Sequence, residues 1–411
     1  MSNKMVNSKN MLIPRFRFPE FQNDGEWEVK RLGEVLDYER PDKYIVNSEN
    51  YVDSGTPVLT ANKSFILGYT NEAEGVFENL PAIIFDDFTT DKKYVNFPFK
   101  VKSSAIKILR PKEKDDLKFI FELMSLIRFE AKEHKRYYIS AYQNLTVPIP
   151  KPAEQQKIAS CLSSLDELIE AESQKLELYE LHKKGLMQNL FPNSLNSDSQ
   201  GLNDGHDFSK VPKLRFPEFK DAGEWEVKRL GEVFKSFSGG TPDTLKKEYY
   251  NGKIPFIRSA EIAKLSTELF LTELGLKNSS AKLVSKGDLL IALYGANSGD
   301  VAISKIDGAI NQAVLCLQSE FSNEFAYHFL FSKKNWIVSK YVQGGQGNLS
   351  GEIVKSISIP FPSKVEQQKI ASCLSSLDDL INAQRQKIEL LKQHKKGLLQ
   401  GLFPNVNEIN L

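Results

Sequence analysis

Eleven residues, GEWEVKRLGEV, run from Gly25 to Val35 and again, unchanged, from Gly223 to Val233. An internal repeat constrains a fold strongly, because each copy must find the same surroundings or the same partner. The match begins earlier, with PRFRFPEF at Pro14 and PKLRFPEF at Pro212, a spacing of 198 residues. It resumes later, where EQQKIASCLSSLD at Glu154 recurs at Glu366, a spacing of 212. It continues through HKKGLMQNLFPN at His182 and HKKGLLQGLFPN at His394. Each half therefore has a repeated head, a divergent middle and a repeated tail, and the second middle is longer by 14 residues. A polar run rich in Ser, Asn, Asp and Gly, Ser194 to Lys210, separates the halves and reads as a linker. The division is an N-terminal segment (1–23), a first middle (24–150), a helix (151–193), the linker (194–211), a second middle (212–362) and a second helix (363–405).

The tails carry a seven-residue apolar period. Ile158, Leu162, Leu165, Ile169, Leu176, Tyr179, Leu186 and Leu190 fall on alternating steps of three and four, with Glu172 and Lys183 in the two polar slots. The second tail repeats the register with Ile370, Leu374, Leu377, Ile381, Ile388, Leu391, Leu398 and Leu402, and with Gln384 and Lys395 in the same slots. A heptad sustained this long predicts a coiled coil roughly 50 Å long in each copy. The alternative is an amphipathic helix packed on its own domain. Matching polar slots favour two helices that partner each other.

The middles are mixed. VKSSAIKIL (Val101 to Leu109) and KGDLLIALYG (Lys286 to Gly295) read as strands, the second buried on both faces. One helix is expected in each middle, over about 115–135 and about 323–342. A polar loop follows each, QNL and GQGNLSG, and then a proline-punctuated run into the long helix.

Repeated parts suit two copies of one partner, or each other, while divergent parts on identical scaffolds suit reading two different things. A ligand with two different half-sites at fixed spacing fits, and duplex DNA is the natural candidate, since successive major-groove faces lie about 34–36 Å apart. Bulk charge does not argue for it. Lys plus Arg total 54 against 53 Asp plus Glu, so attraction must come from local patches. The three cysteines lack CxxC spacing, and no run of about 18 apolar residues occurs, which suits a reduced, soluble, cytoplasmic protein.

The middles carry suitable side chains. In the first, Asn62 and Lys63, then Lys92, Lys93 and Tyr94, then Lys135, Arg136 and Tyr137, then Gln143 and Asn144 are candidate DNA contacts. In the second, the candidates are Arg258, Ser259, Tyr294, Asn297, Asn311, Gln312, Gln343, Gln346 and Asn348. Asn and Gln can bind adenine edges, Arg and Lys can bind guanine, and nearby lysines can hold phosphates. Each residue taken alone also fits a solvated face or a core position.

Catalytic signatures are missing. The sequence has no phosphate loop, GxGxxG, HExxH or GxSxG, and no NPPY/F-type adenine-methylation motif. The acids of FDDFTTDKK, Asp86, Asp87 and Asp91, could hold Mg²⁺, but loop acids more often cap turns. No catalytic or metal-binding residue is assigned.

Several stretches resemble the DNA specificity subunits of type I restriction–modification systems, and the resemblance covers about Pro14 to Asn405. Its markers are the EQQKIAS openings of both long helices with LDELI and LDDLI after them, PVLTANKSFILGYT, IIFDDFTTDKKYV, GGTPDTLKKEYYNGKIPFIRSAEI and GDLLIALYGANSGDVAI with INQAV. The resemblance implies an α+β fold: two globular mixed α/β target-recognition domains, related by a pseudo-two-fold and joined by two long antiparallel coiled-coil helices acting as a spacer. It implies that each domain reads one half of a split, asymmetric DNA sequence. It implies partners as well, two copies of a methyltransferase subunit using S-adenosylmethionine and a motor–nuclease subunit using ATP and Mg²⁺, with no cofactor on this chain and no catalysis by it.

Overall fold

The computed structural model describes residues 12–61, 64–112, 114–133, 135–192, 209–320, 323–341 and 348–409. They form two compact units, Met1–Ser173 with Gln386–Leu411, and Gln174–Arg385. The division runs through both long helices, Pro152–Leu190 and Lys364–Leu402. Boundaries drawn from the sequence set the helices apart from the globular parts. In the structure each helix half belongs to a globular unit, because its apolar residues complete that unit's core.

In the first unit a four-stranded sheet runs in the order Leu36–Glu39, Ile106–Pro111, Ala82–Asp86, Lys92–Val95, every neighbour antiparallel. Side chains alternate across a strand, and here the alternation divides two cores. Ile83, Phe85 and Leu109 face one core, while Ala82, Ile84 and Ile108 face the other. A three-stranded sheet, Ile66–Thr70, Thr56–Leu59 and Lys100–Val101, lies against the second core. The helix Leu117–Leu126 closes the first core, its N-terminus capped by Asp116, whose carboxylate accepts from the Phe119 amide. The strand expected over 101–109 is two strands with a turn between. The helix expected to reach Lys135 stops at Leu126, where Ile127 turns to extended backbone.

The second unit repeats the plan. Its sheet runs Lys235–Ser238, Val314–Gln318, Leu289–Ala292, Val301–Ile303. Leu289, Ile291 and Leu315 face one core, while Leu290, Ala292 and Cys316 face another. A second four-stranded sheet, Phe270–Leu271, Tyr250–Ile257, Gly308–Ile310 and Lys282–Val284, replaces the three-stranded one. The added strand and the longer helix Asn323–Tyr341 account for much of the extra length.

The repeated head and tail meet in a joint built twice. Glu28–Arg31 pairs antiparallel with Thr146–Ile149, and Glu226–Arg229 with Ser358–Phe361. The Arg17 guanidinium donates to both Glu154 carboxylate oxygens at 2.8 and 2.7 Å and to the Gly25 carbonyl at 2.6 Å. Arg215 does the same to Glu366 at 2.7 Å twice, and to Gly223 at 2.6 Å. Gly25 and Gly223 sit at φ +76° and +75°, a conformation that favours glycine. The Gln155 and Gln367 amides each donate at 2.9 Å to the proline carbonyl five residues back. Trp27 and Trp225 are buried in the two cores. The repeated phrase is thus the lock between a globular unit and the start of its helix.

The two readings of the long helices hold in different stretches. Ile158 and Leu162 belong to the first unit's core, and Ile370 and Leu374 to the second's. Further along, ion pairs link the helices. In the first unit Asp166 pairs with Lys395 and Glu172 with Lys387; in the second Lys183 pairs with Asp378 and Glu180 with Arg385. As one number rises the other falls, so the helices run antiparallel in each unit. Leu165, Ile169 and Leu176 are half-buried along this stretch, and Ile381 and Ile388 are buried. Among the described residues no helix is long and apolar enough to cross a membrane.

Candidate nucleic-acid interface

One end of the main sheet in each unit collects the loops that differ between the halves. In the first unit, Leu36–Glu39 and Ala82–Asp86 finish there, and Ile106–Pro111 and Lys92–Val95 begin there. The loop after Asp86 is held tightly. The Asp86 carboxylate accepts from the Phe88 and Thr89 amides, both at 2.9 Å. Asp87 accepts from the Tyr138 amide at 2.8 Å and faces the Lys107 ammonium at 3.4 Å, with both charges buried. The Asp87 carbonyl accepts from the Tyr137 amide. These bonds tie the segment 136–144 to the sheet end. Asp86 thus holds its own turn, while Asp87 is held by the Tyr138 amide and Lys107; among the described residues no group of three or more His, Cys, Asp or Glu side chains that could hold a metal ion occurs.

Several candidates come together here. The Lys92 ammonium lies 5.9 Å from the Tyr142 ring centre, and burial lowers its pKa. Lys93 is next to it on the strand. Arg136 is exposed, 5.8 Å from the Phe88 ring and 3.4 Å from the Ser104 hydroxyl. Lys135 is exposed and paired with Glu133. Gln143 donates to the Ile139 carbonyl, while Asn144 is exposed. Two candidates serve packing instead. Tyr137 is buried, its hydroxyl bonded to the Glu133 backbone, so its ring presents no face to a ligand. Tyr94 packs on Phe121 under the Lys118 ammonium. Asn62 and Lys63 lie outside the described residues.

The corresponding end of the second sheet is built differently. Gly239 and Gly240 follow its first strand, and a Cβ on Gly239 would sit 1.8 Å from the Ile310 carbonyl oxygen. The Thr241 hydroxyl donates to the Gln312 side-chain oxygen at 2.6 Å. The Asn311 side chain accepts from the Ala313 amide. Tyr294 and Asn297 lie on the next loop, where the Gly295 amide donates to Asn348 at 3.3 Å. Arg258 is turned inward, donating to Glu261 and Glu268, and these bonds raise its pKa. Its charge is compensated, so it offers little to DNA. Ser259 is half-buried in the turn beside it. Gln343 and Gln346 lie outside the described residues.

Three residues at the first sheet end were not singled out in the sequence. Arg40, Ser104 and Lys107 line a cavity of about 420 Å³ with Pro41, Asp42, Asp87, Arg136 and Ile139. A signal existed for one of them: Lys107 interrupts an apolar strand, and a lysine there needs a buried acid.

The chain is similar to several known proteins. A family profile described as the type I restriction modification DNA specificity domain matches residues 24–180 and again 222–393. The specificity subunit of the Escherichia coli type I restriction enzyme EcoR124I/EcoR124II is 33% identical over 379 residues, spanning 87% of this chain and 88% of that protein. The specificity subunit of the Methanocaldococcus jannaschii putative type I restriction enzyme MjaX is 26% identical over 416 residues, 92% of this chain and 93% of the other. The crystal structure of a type I restriction–modification S subunit from M. genitalium superposes with a TM-score of 0.65 at 17% identity, covering 95% of this chain and 99% of that one. That likeness is one of fold.

Proposed function

The chain belongs to the type I restriction modification DNA specificity family, and on that premise we propose that it reads a split, asymmetric DNA sequence, each sheet end taking one half. The observation that carries this reading is the contrast inside the repeat. The Arg–Glu–Gly joint is reproduced to within 0.1 Å, while the loops at the sheet ends share almost no residues. Selection that duplicates a scaffold and diversifies its loops suits one partner met twice and two different half-sites.

In this reading the long antiparallel helices set the spacing between half-sites. Two copies of a methyltransferase subunit bind the duplicated scaffold and methylate adenine at N6 with S-adenosylmethionine. A motor–nuclease subunit adds cleavage driven by ATP with Mg²⁺. This chain supplies the address, binds no cofactor and works in the cytoplasm. The test is an adenine-methylation map of the source genome, with and without this gene. Loss of one split motif on deletion is the expected result. An unchanged map in a strain that expresses the chain with its methyltransferase would sink the reading.

A further inference from the structure

We propose that the cavity at the first unit's sheet end is a clamp for one phosphate of the DNA backbone, with Arg40 and Arg136 as its jaws. The proposal rests on the DNA-reading function above and assigns a separate role within it: holding rather than reading.

The walls identify the ligand. Arg40, Lys107 and Arg136 bring three positive charges, and Asp42 and Asp87 bring two negative ones, leaving one in excess. The inner pair is already satisfied, since Lys107 and Asp87 face each other in the buried floor. The excess therefore sits on the two exposed guanidinium groups. Among the described residues Arg40 has no acceptor, and Arg136 has only the Ser104 hydroxyl at 3.4 Å. Each guanidinium has five donors in a planar fork that matches a phosphate's oxygens. The Ser104 hydroxyl can turn to add another donor. An arginine fork can also take a guanine edge, but the lining offers no ring to stack a base, its apolar members being Pro41 and Ile139, so two guanidinium groups and a hydroxyl around one cavity suit the several oxygens of a phosphate better.

Among the described residues the second unit has no counterpart. Ser238 and Gly239 stand at the positions of Arg40 and Pro41, 198 residues further on, and Leu315 occupies the ladder position of Lys107, one step in from the end of the central pairing. The clamp is a property of one half-site only.

The test uses the full chain assembled with its methyltransferase subunits. Fluorescence anisotropy would follow binding to a duplex carrying the mapped target and to one with the first half-site scrambled, over a series of salt concentrations. For Arg40→Gln/Arg136→Gln, affinity is expected to fall by the same factor, tenfold or more, on both duplexes. The slope of log affinity against log salt should shrink by about 1, the loss of one phosphate contact. Arg40→Lys/Arg136→Lys keeps the charges, so it should keep the slope and lose less affinity. An unchanged slope in the glutamine variant would overturn the clamp. So would a collapse of the ratio between the two duplexes, which would make the arginines base readers. A wild-type complex that binds both duplexes equally would refute the specificity reading instead, and the slope alone would then decide the clamp.

Discussion

The two sheet ends are built on the same strand order and differ in chemistry. The first presents two exposed arginines, Arg40 and Arg136, with the half-buried Lys92 and Lys93 behind them, over a buried Lys107–Asp87 pair. The second presents amides: Asn297, Asn311, Gln312 and Asn348 beside two tightly packed glycines, with its one central arginine neutralised. Below them, the two joints are built alike. A repeated chain keeps what packs against a repeated helix and lets diverge what packs against nothing of its own. On the proposed function, the first sheet end suits gripping a backbone and the second suits discriminating bases.

The sharpest way to break that comparison is to attack the joints, which should fail equally. Glu154→Ala leaves the Arg17 guanidinium buried without its carboxylate, and should cost the first unit about 3–5 kcal/mol. Glu366→Ala should cost the second unit the same amount through Arg215. Urea unfolding read by Trp27, in a chain lacking the other two tryptophans, reports the first unit, and Trp225 likewise reports the second. Losses differing by more than about 2 kcal/mol would show that the joints are alike only in outline.

The buried pair at the first sheet end should come next. Lys107→Leu, which installs the second unit's residue, strands Asp87 and should cost about 2–4 kcal/mol. Adding Asp87→Asn should recover part of it, because the amide oxygen can still accept from the Tyr138 backbone. If the double variant is no more stable than the single, the charge pair is not what the site depends on.

Acid should separate the units further. In the second unit His328 is fully buried, its Nε2 3.1 Å from the Ser375 hydroxyl, with Tyr327 beside it and the Lys183–Asp378 pair close by. Burial, and then Lys183, lower its pKa to about 3, against about 6.5 in an unfolded chain. The unfolded state takes up the proton first, so stability complete above about pH 6.5 drains away toward pH 3. At pH 5 the second unit should be about 2 kcal/mol weaker than at pH 7, and His328→Gln should flatten the dependence. The first unit places a charge network there instead. Burial raises the Asp166 pKa, but bonds from Lys118 and Lys395 outweigh it and hold the carboxylate below its ordinary value. That contribution is present above the unfolded carboxylate pKa and is lost only below it. Equal acid sensitivity of both units would refute the assignment.

The repeat and the long helices were legible because identity and a heptad are patterns along the chain itself. What a helix face packs against is not such a pattern. Ile158 and Leu165 occupy equivalent heptad positions, yet one lies in a domain core and the other along the seam. The helix end at Leu126 was hidden for a similar reason. IRFEAKEHK has a helical composition, but the Arg128 amide donates to Asn407, whose own side chain donates to the Leu126 carbonyl. A stop supplied from 279 residues away leaves no local trace. In Lys135–Tyr138 the composition does not tell side from side: Arg136 is exposed, while Tyr137 and Tyr138 are buried.

The smallest expected effects rank the amides of the second face. An amide can grip adenine with both its oxygen and its nitrogen, worth about 1–3 kcal/mol against a wrong base. Gln312 has already given its oxygen to Thr241, Asn311 to the Ala313 amide, and Asn348 to the Gly295 amide. Each of these has its oxygen already held in one bond, leaving its NH₂ and a single further lone pair for a base. The Asn297 side chain has no partner among the described residues and keeps both edges. Asn297→Ala should therefore relax one position of the second half-site by tens of fold, and Gln312→Ala or Asn348→Ala by less than tenfold. Methylation rates on duplexes substituted one base at a time would measure this. A larger loss at Asn348 than at Asn297 would mean that the loop rearranges on DNA and frees the oxygen now held by Gly295. The second face would then discriminate only after moving, unlike the first, whose Arg40 and Arg136 already stand exposed.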